Sequence, residues 1–134
     1  MRGNMSNKSR FKTFIIEDML FEYDEEKNET NIKKHGISFE IAARVFFDYN
    51  RIELYDEEHS TDEERFDTIG STIAGISNTD AANPGVAEDI IFVVYTERVQ
   101  IEDEKTGKSI EVTRLISARM ATNFERGLYY GKRD

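Results

Sequence analysis

Six polar side chains of this 134-residue chain sit where elements are expected to end: Lys34 and His35, Glu64 and Arg65, Arg114 and Arg119. The chemistry open to such types is anion binding by the cations and proton transfer by the histidine or the glutamate. Each pair also has a structural explanation. Lys34 and His35 complement the negative end of a helix dipole, and Glu64 with Arg65 reads as a surface ion pair of little energetic weight. His59 lies in an acidic loop, reads as solvated, and is assigned no role. Arg114 and Arg119 are harder to dismiss. The alternation Val112-Thr-Arg114-Leu-Ile116 puts Arg114 on a strand face with apolar residues, where an arginine needs a partner or a pocket. There is no glycine-rich phosphate loop, no Ser-His-Asp order and no cysteine, and two histidines are too few for a multi-histidine centre. No metal and no other cofactor is therefore expected.

The elements that must carry these residues follow from local signals. Asp24 is a fitting N-cap, Glu25 and Glu26 occupy the first turn, Lys33, Lys34 and His35 the last, and Gly36 supplies the left-handed stop, so a helix is predicted over about 25–35. Ser38 caps a second helix whose stripe is Phe39, Ala42, Ala43, Phe46 and Phe47. Strands are predicted at 51–55, 65–70, 90–96 and 110–117. Between them lie an acidic loop (56–64), a long connection (73–88) and a hairpin turn (102–108). Thr122 and Glu125 have capping-box spacing, predicting a last helix with Phe124 and Leu128 facing the sheet. Residues 1–12 read as a polar tail, with Phe14-Ile15-Ile16 as a short strand or a hook onto a neighbouring molecule. The expected fold is α+β: two N-terminal helices, a mainly antiparallel sheet of four to five strands, and a C-terminal helix.

The composition bounds the function. Eighteen basic against 27 acidic residues leave a net charge of −9, which counts against bulk nucleic-acid binding. The charge is uneven, however. Residues 21–68 are strongly acidic, whereas the C-terminal fifth, with Arg114, Arg119, Arg126, Lys132 and Arg133, is basic. The length fits one domain. No run approaches the roughly 18 apolar residues of a membrane span, and the start lacks an apolar signal core, so the expected location is cytoplasmic.

An ordered set of residues carries a resemblance. Phe21-Glu-Tyr-Asp-Glu-Glu-Lys27, Asn31-Ile-Lys-Lys34-His35-Gly36-Ile-Ser-Phe39, Ala42-Ala-x-Val-Phe46, Asp56 with His59, Glu64-Arg65, Ile69-Gly70, Val94-Tyr-Thr-Glu97-Arg98, Arg114-x-Ile116-Ser117-Ala118-Arg119 and Ala121-Thr122 with Glu125 occur together and in order. The chain resembles the BrnT family, the toxin half of a bacterial type II toxin–antitoxin pair, from about Met19 to Tyr130. It differs from the family pattern at Met120, Asn123 and Gly127, where basic residues are usual, and in the length of 73–88 and 102–111. By this resemblance residues 1–18 are an N-terminal extension and 19–134 a single toxin domain.

The resemblance implies a RelE-like fold and a metal-independent endoribonuclease that arrests translation. It also implies a cognate antitoxin whose ribbon-helix-helix region binds operator DNA, the toxin itself making no direct sequence-specific DNA contact and no membrane contact. Its polar set, carried over position by position, is Lys34, His35, Glu64, Arg65, Arg114 and Arg119. Attack by a ribose 2′-hydroxyl needs a base, for which Glu64 and His35 both stand, and cations on the phosphorane, for which Lys34, Arg65, Arg114 and Arg119 stand. An oligomer, alone or in complex, is expected from a face built to be covered. The alternatives are a non-catalytic protein-interaction module of the same fold and, more weakly, a small-ligand sensor. The charge adds that free RNA should bind weakly and with strong salt dependence.

Overall fold

The computed structural model describes residues 10–73 and 88–131. Its first element is a strand, β1 (Phe11–Ile16), which turns back through Glu17, at φ 55, into β2 (Met19–Asp24). Phe11 and Lys12, read from sequence as tail, thus belong to a strand. Phe14 stacks on Phe21 at 5.3 Å between ring centres, and Ile16 packs against the same core.

Asp24 ends β2 and caps α1 (Glu25–His35), its carboxylate accepting the Glu26 N–H at 2.8 Å. Gly36, at φ 72, closes the helix in the left-handed region that a side chain enters only with strain. The predicted boundaries hold at both ends. Ser38 caps α2 (Phe39–Ala42), which tightens at once into a 3₁₀ turn (Ala43–Phe47), so the expected second helix is one short α turn with a 3₁₀ extension. β3 (Ile52–Tyr55) and β4 (Phe66–Ser71) flank the acidic loop.

β5 (Ile90–Asp103) and β6 (Lys108–Met120) are far longer than the predicted 90–96 and 110–117. The predicted hairpin turn at 102–108 is present but shorter, at 104–107, with the strands paired out to Asp103 and Lys108. The expected connection at 73–88 lies mainly outside the described residues. Last comes α3 (Asn123–Gly131), where Thr122 and Glu125 exchange the two capping-box hydrogen bonds at 2.9 and 3.1 Å.

Among the described residues the sheet has six strands in the order β1-β2-β6-β5-β4-β3, more than the four to five expected. All neighbours are antiparallel except β2 and β6, which run parallel because α1 and everything after it intervene between them. One face carries Phe21, Tyr23, Ile91, Val93, Tyr95, Leu115 and Ala118, buried under Ile37, Phe39, Val45 and Phe46 of the helical segment. On the other, Ile69, Ile90 and Phe92 are covered by α3 through Tyr129, 1% exposed. Phe124 and Leu128, expected to face the sheet, are instead 75% and 39% exposed. The helix is rotated so that Tyr129 packs, because its hydroxyl finds a carboxylate partner inside.

Candidate functional site

α1 lies along the edge of β6 beyond the reach of β2, whose pairing stops at Tyr23 with Leu115. There the buried Asn31 does the work of a strand. Its amide accepts the Ala118 N–H at 3.1 Å and donates to the Ala118 carbonyl at 2.8 Å, with a further bond to the Ile37 carbonyl at 2.9 Å. This side chain sets the spacing between α1 and β6, and between them opens a recess of about 460 Å³. Arg10, Lys27, Thr30, Lys34, His35, Ile116 and Ser117 are among its walls. A second recess of about 120 Å³ adjoins it, sharing Asp24, Lys27 and Ile116, and adds Phe11, Glu63, Arg65 and Arg114.

The six residues singled out from sequence therefore divide into two pairs and two single residues. Lys34 and His35 line the larger recess, and Arg65 and Arg114 the smaller. Glu64 is exposed and lines neither; its backbone carbonyl accepts the Thr96 hydroxyl at 2.7 Å, and Glu63 occupies the recess wall in its place. No ion pair joins Glu64 to Arg65 among the described residues. Arg119 stands apart. It makes a two-pronged pair with Glu125 at 2.8 and 3.0 Å and stacks over Phe92 at 4.1 Å. Glu125 holds the Arg119 guanidinium above its ordinary pKa, and Arg119 in turn holds the Glu125 carboxyl below the usual range. Arg114 and Arg119 are five residues apart on β6, roughly 17 Å at strand rise.

The partner demanded for Arg114 by its strand face is Glu22, whose carboxylate takes Arg114 Nε at 2.6 Å and also Arg98 at 2.9 Å, while Phe11 lies over the guanidinium at 4.4 Å. Arg10 is held likewise by Asp24 at 2.5 Å. Burial pushes the Asp24 carboxyl upward, but Arg10 and the N–H groups of Glu26 and Lys27 outweigh it and leave it below its ordinary value. The remaining cations of the two recesses differ. Lys27, Lys34 and Arg65 form no ion pair among the described residues.

Sequence reasoning passed over two features. Lys27, the side chain common to both recesses, was quoted only as part of a motif, although its place in the first turn of α1 already aimed it along the same side as Lys34, two turns on. The second is a buried carboxyl pair. Asp67 on β4 and Asp56 at the end of β3 share a hydrogen bond, and His59 Nδ1 lies 3.0 Å from Asp56, so His59 is partnered as well as partly exposed. Burial and the neighbouring Asp56 raise the Asp67 carboxyl to about 7, while the hydrogen bonds from Asp67 and His59 hold Asp56 below its ordinary value against its own burial.

No group of three or more His, Asp or Glu stands ready to hold a metal ion, and no helix is long and apolar enough to cross a membrane, among the described residues. No curated protein matches the chain. The model of one protein family matches part of it, a span that carries Lys27, Lys34, His35, Glu64 and Arg65 and ends before Arg114 and Arg119. Residues 23–79 match the family described as ribonuclease toxin, BrnT, of type II toxin–antitoxin system, the family that the ordered residues resemble.

Proposed function

We propose that this protein is an endoribonuclease toxin that cleaves RNA to arrest translation and is held inactive by a cognate antitoxin. The observation that carries the reading is the placement of Lys27, Lys34 and Arg65, cations with no ion pair among the described residues, on two recesses that share Asp24, Lys27 and Ile116 in a protein with net charge −9. Unpaired cations held together repel one another, and an anionic ligand relieves that cost. The cleavage needs no cofactor. A ribose 2′-oxygen bonds to the adjacent phosphorus and gives up its proton to the base, the bond from phosphorus to the 5′-oxygen breaks, and that oxygen takes a proton from water, whose hydroxide is neutralised by the proton the base received. His35 is the base in this scheme, lining the larger recess beside Lys34, while Glu64 lines neither recess. Lys34 and Arg65 hold the charge developing on the phosphorane. Arg114 serves the same charge by exchanging Glu22 for phosphate. Arg119 acts through structure, by fixing the start of α3.

The partner is a small antitoxin with a ribbon-helix-helix region, presenting basic residues to the acidic 21–68 half. Inducible expression without antitoxin should stop growth and fragment RNA, and Arg65→Ala should relieve both. Normal growth with intact RNA and folded wild-type protein would sink the reading. A second reading, an interaction module without catalysis, is favoured by one observation: Arg98, Arg114 and Arg119 are already neutralised by Glu22 and Glu125. A tight complex with the product of an adjacent small reading frame, from a protein that cleaves no RNA, would select it.

A further inference from the structure

We infer that the recess between α1 and β6 seats the nucleoside next to the scissile phosphate, that Lys27 grips that phosphate where the two recesses join, and that the substrate is therefore single-stranded RNA. This rests on the ribonuclease reading and deepens it. The two recesses differ in size in the way such a ligand requires. At about 460 Å³ the larger lies within the roughly 300–1,000 Å³ span of small-ligand sites, whereas the smaller, at about 120 Å³, has room for a phosphate but not for a whole nucleoside. Their shared wall is Asp24, Lys27 and Ile116. Asp24 is committed to Arg10 and to capping α1, and the exposed Glu26 and Glu63 each line one recess only, so the Lys27 ammonium is the cation common to both.

The polar groups left over in the larger recess point to the same ligand. Asn31 spends its amide on Ala118 and Ile37, so it reads nothing. The hydroxyls of Thr30 and Ser117 remain to meet base or ribose edges, with Ile116 as an apolar wall against the ring. A base reaches such a recess only when it is unpaired and turned out of a stack, which excludes a continuous duplex.

The test uses a short mixed-sequence single-stranded oligoribonucleotide, 2′-O-methylated so that it cannot be cleaved, titrated by fluorescence anisotropy over a range of salt. Lys27→Ala should weaken binding about tenfold and lower the slope of log K against log salt by about 0.7, the release expected from one single-strand phosphate contact. Thr30→Trp, which fills the recess from an exposed helix position, should abolish binding without changing the melting temperature. Lys33→Ala, a neighbouring cation outside both recesses, should leave the slope nearly unchanged. A duplex of the same sequence should compete poorly. Equal effects of Lys27→Ala and Lys33→Ala, wild-type binding by Thr30→Trp, or full competition by duplex would overturn the inference while wild-type cleavage of unmodified RNA still upheld the ribonuclease reading. A wild-type protein that neither binds the probe nor cleaves RNA would overturn both.

Discussion

The phenol of Tyr129 donates a 2.6 Å hydrogen bond to the fully buried carboxylate of Asp48, tying the last helix to the segment that follows the 3₁₀ turn. The same carboxylate accepts the Ser71 N–H at 2.8 Å and the Asn50 N–H at 2.9 Å. Gly70 makes the arrangement possible, since a Cβ there would stand 3.1 Å from Val45 and 3.4 Å from Asp48. Removing the phenol oxygen by Tyr129→Phe should cost about 1.5–3 kcal/mol, as for a hydrogen bond to a charged group. Denaturant unfolding would show it as a lower midpoint at unchanged slope. A variant as stable as the wild type would show that the bond adds nothing net.

Asn31 sets the spacing of the larger recess, so its loss should be felt in both stability and activity. Asn31→Ala leaves the Ala118 N–H and carbonyl without their side-chain partner and should destabilise by about 2–3 kcal/mol. RNA cleavage should fall further than the unfolded fraction explains, because Lys34 and His35 then drift from Ser117. Cleavage proportional to the folded fraction would contradict that link.

Arg119 and Arg65 should separate cleanly in kinetics. On the proposed reading, in which Arg65 holds the phosphate, Arg65→Ala should lower the cleavage rate about 10²- to 10³-fold, the usual loss for one charge-stabilising donor. Arg119→Ala breaks a half-exposed pair that holds a helix start, worth about 1 kcal/mol after solvent screening, and should lower the rate less than tenfold. Equal losses for the two variants would place Arg119 on the reacting phosphate.

The Asp56–Asp67 pair predicts a pH dependence of stability. Asp67 has a folded pKa of about 7, raised by burial and by Asp56 above its ordinary carboxylate value. The folded state therefore keeps a proton that the unfolded chain gives up, and stability falls as pH rises from about 4 toward 7, levelling beyond. Asp56, held low, acts in the opposite sense, and its contribution is lost as the solution becomes strongly acid. His59 and Arg119 are the charges that oppose the rise at Asp67. Asp67→Asn should flatten the fall, so that the variant gains on the wild type up to neutral pH. Unfolding midpoints measured across that range check it; parallel curves would refute the shared proton.

The sequence by itself determined the local pieces whose signals are local. Asp24, Gly36, Ser38 and the Thr122–Glu125 box mark helix ends because capping bonds span a few residues, and all four stand where expected. It also determined the residue types of the site and the ordered set that resembles the matched family. Only the tertiary structure decided which of those residues meet. The parallel pairing of β2 with β6, about ninety residues apart, brings Glu22 to Arg114, and the Asn31 amide brings Lys34 and His35 to Ser117. Strand lengths and the turn of α3 toward Tyr129 were equally out of reach. The first depends on what neighbours each strand finds, and the second on a buried carboxylate at position 48, far from the helix that answers it. The cations of the candidate site that form no ion pair among the described residues became visible only once Glu22, Asp24 and Glu125 had claimed the other arginines.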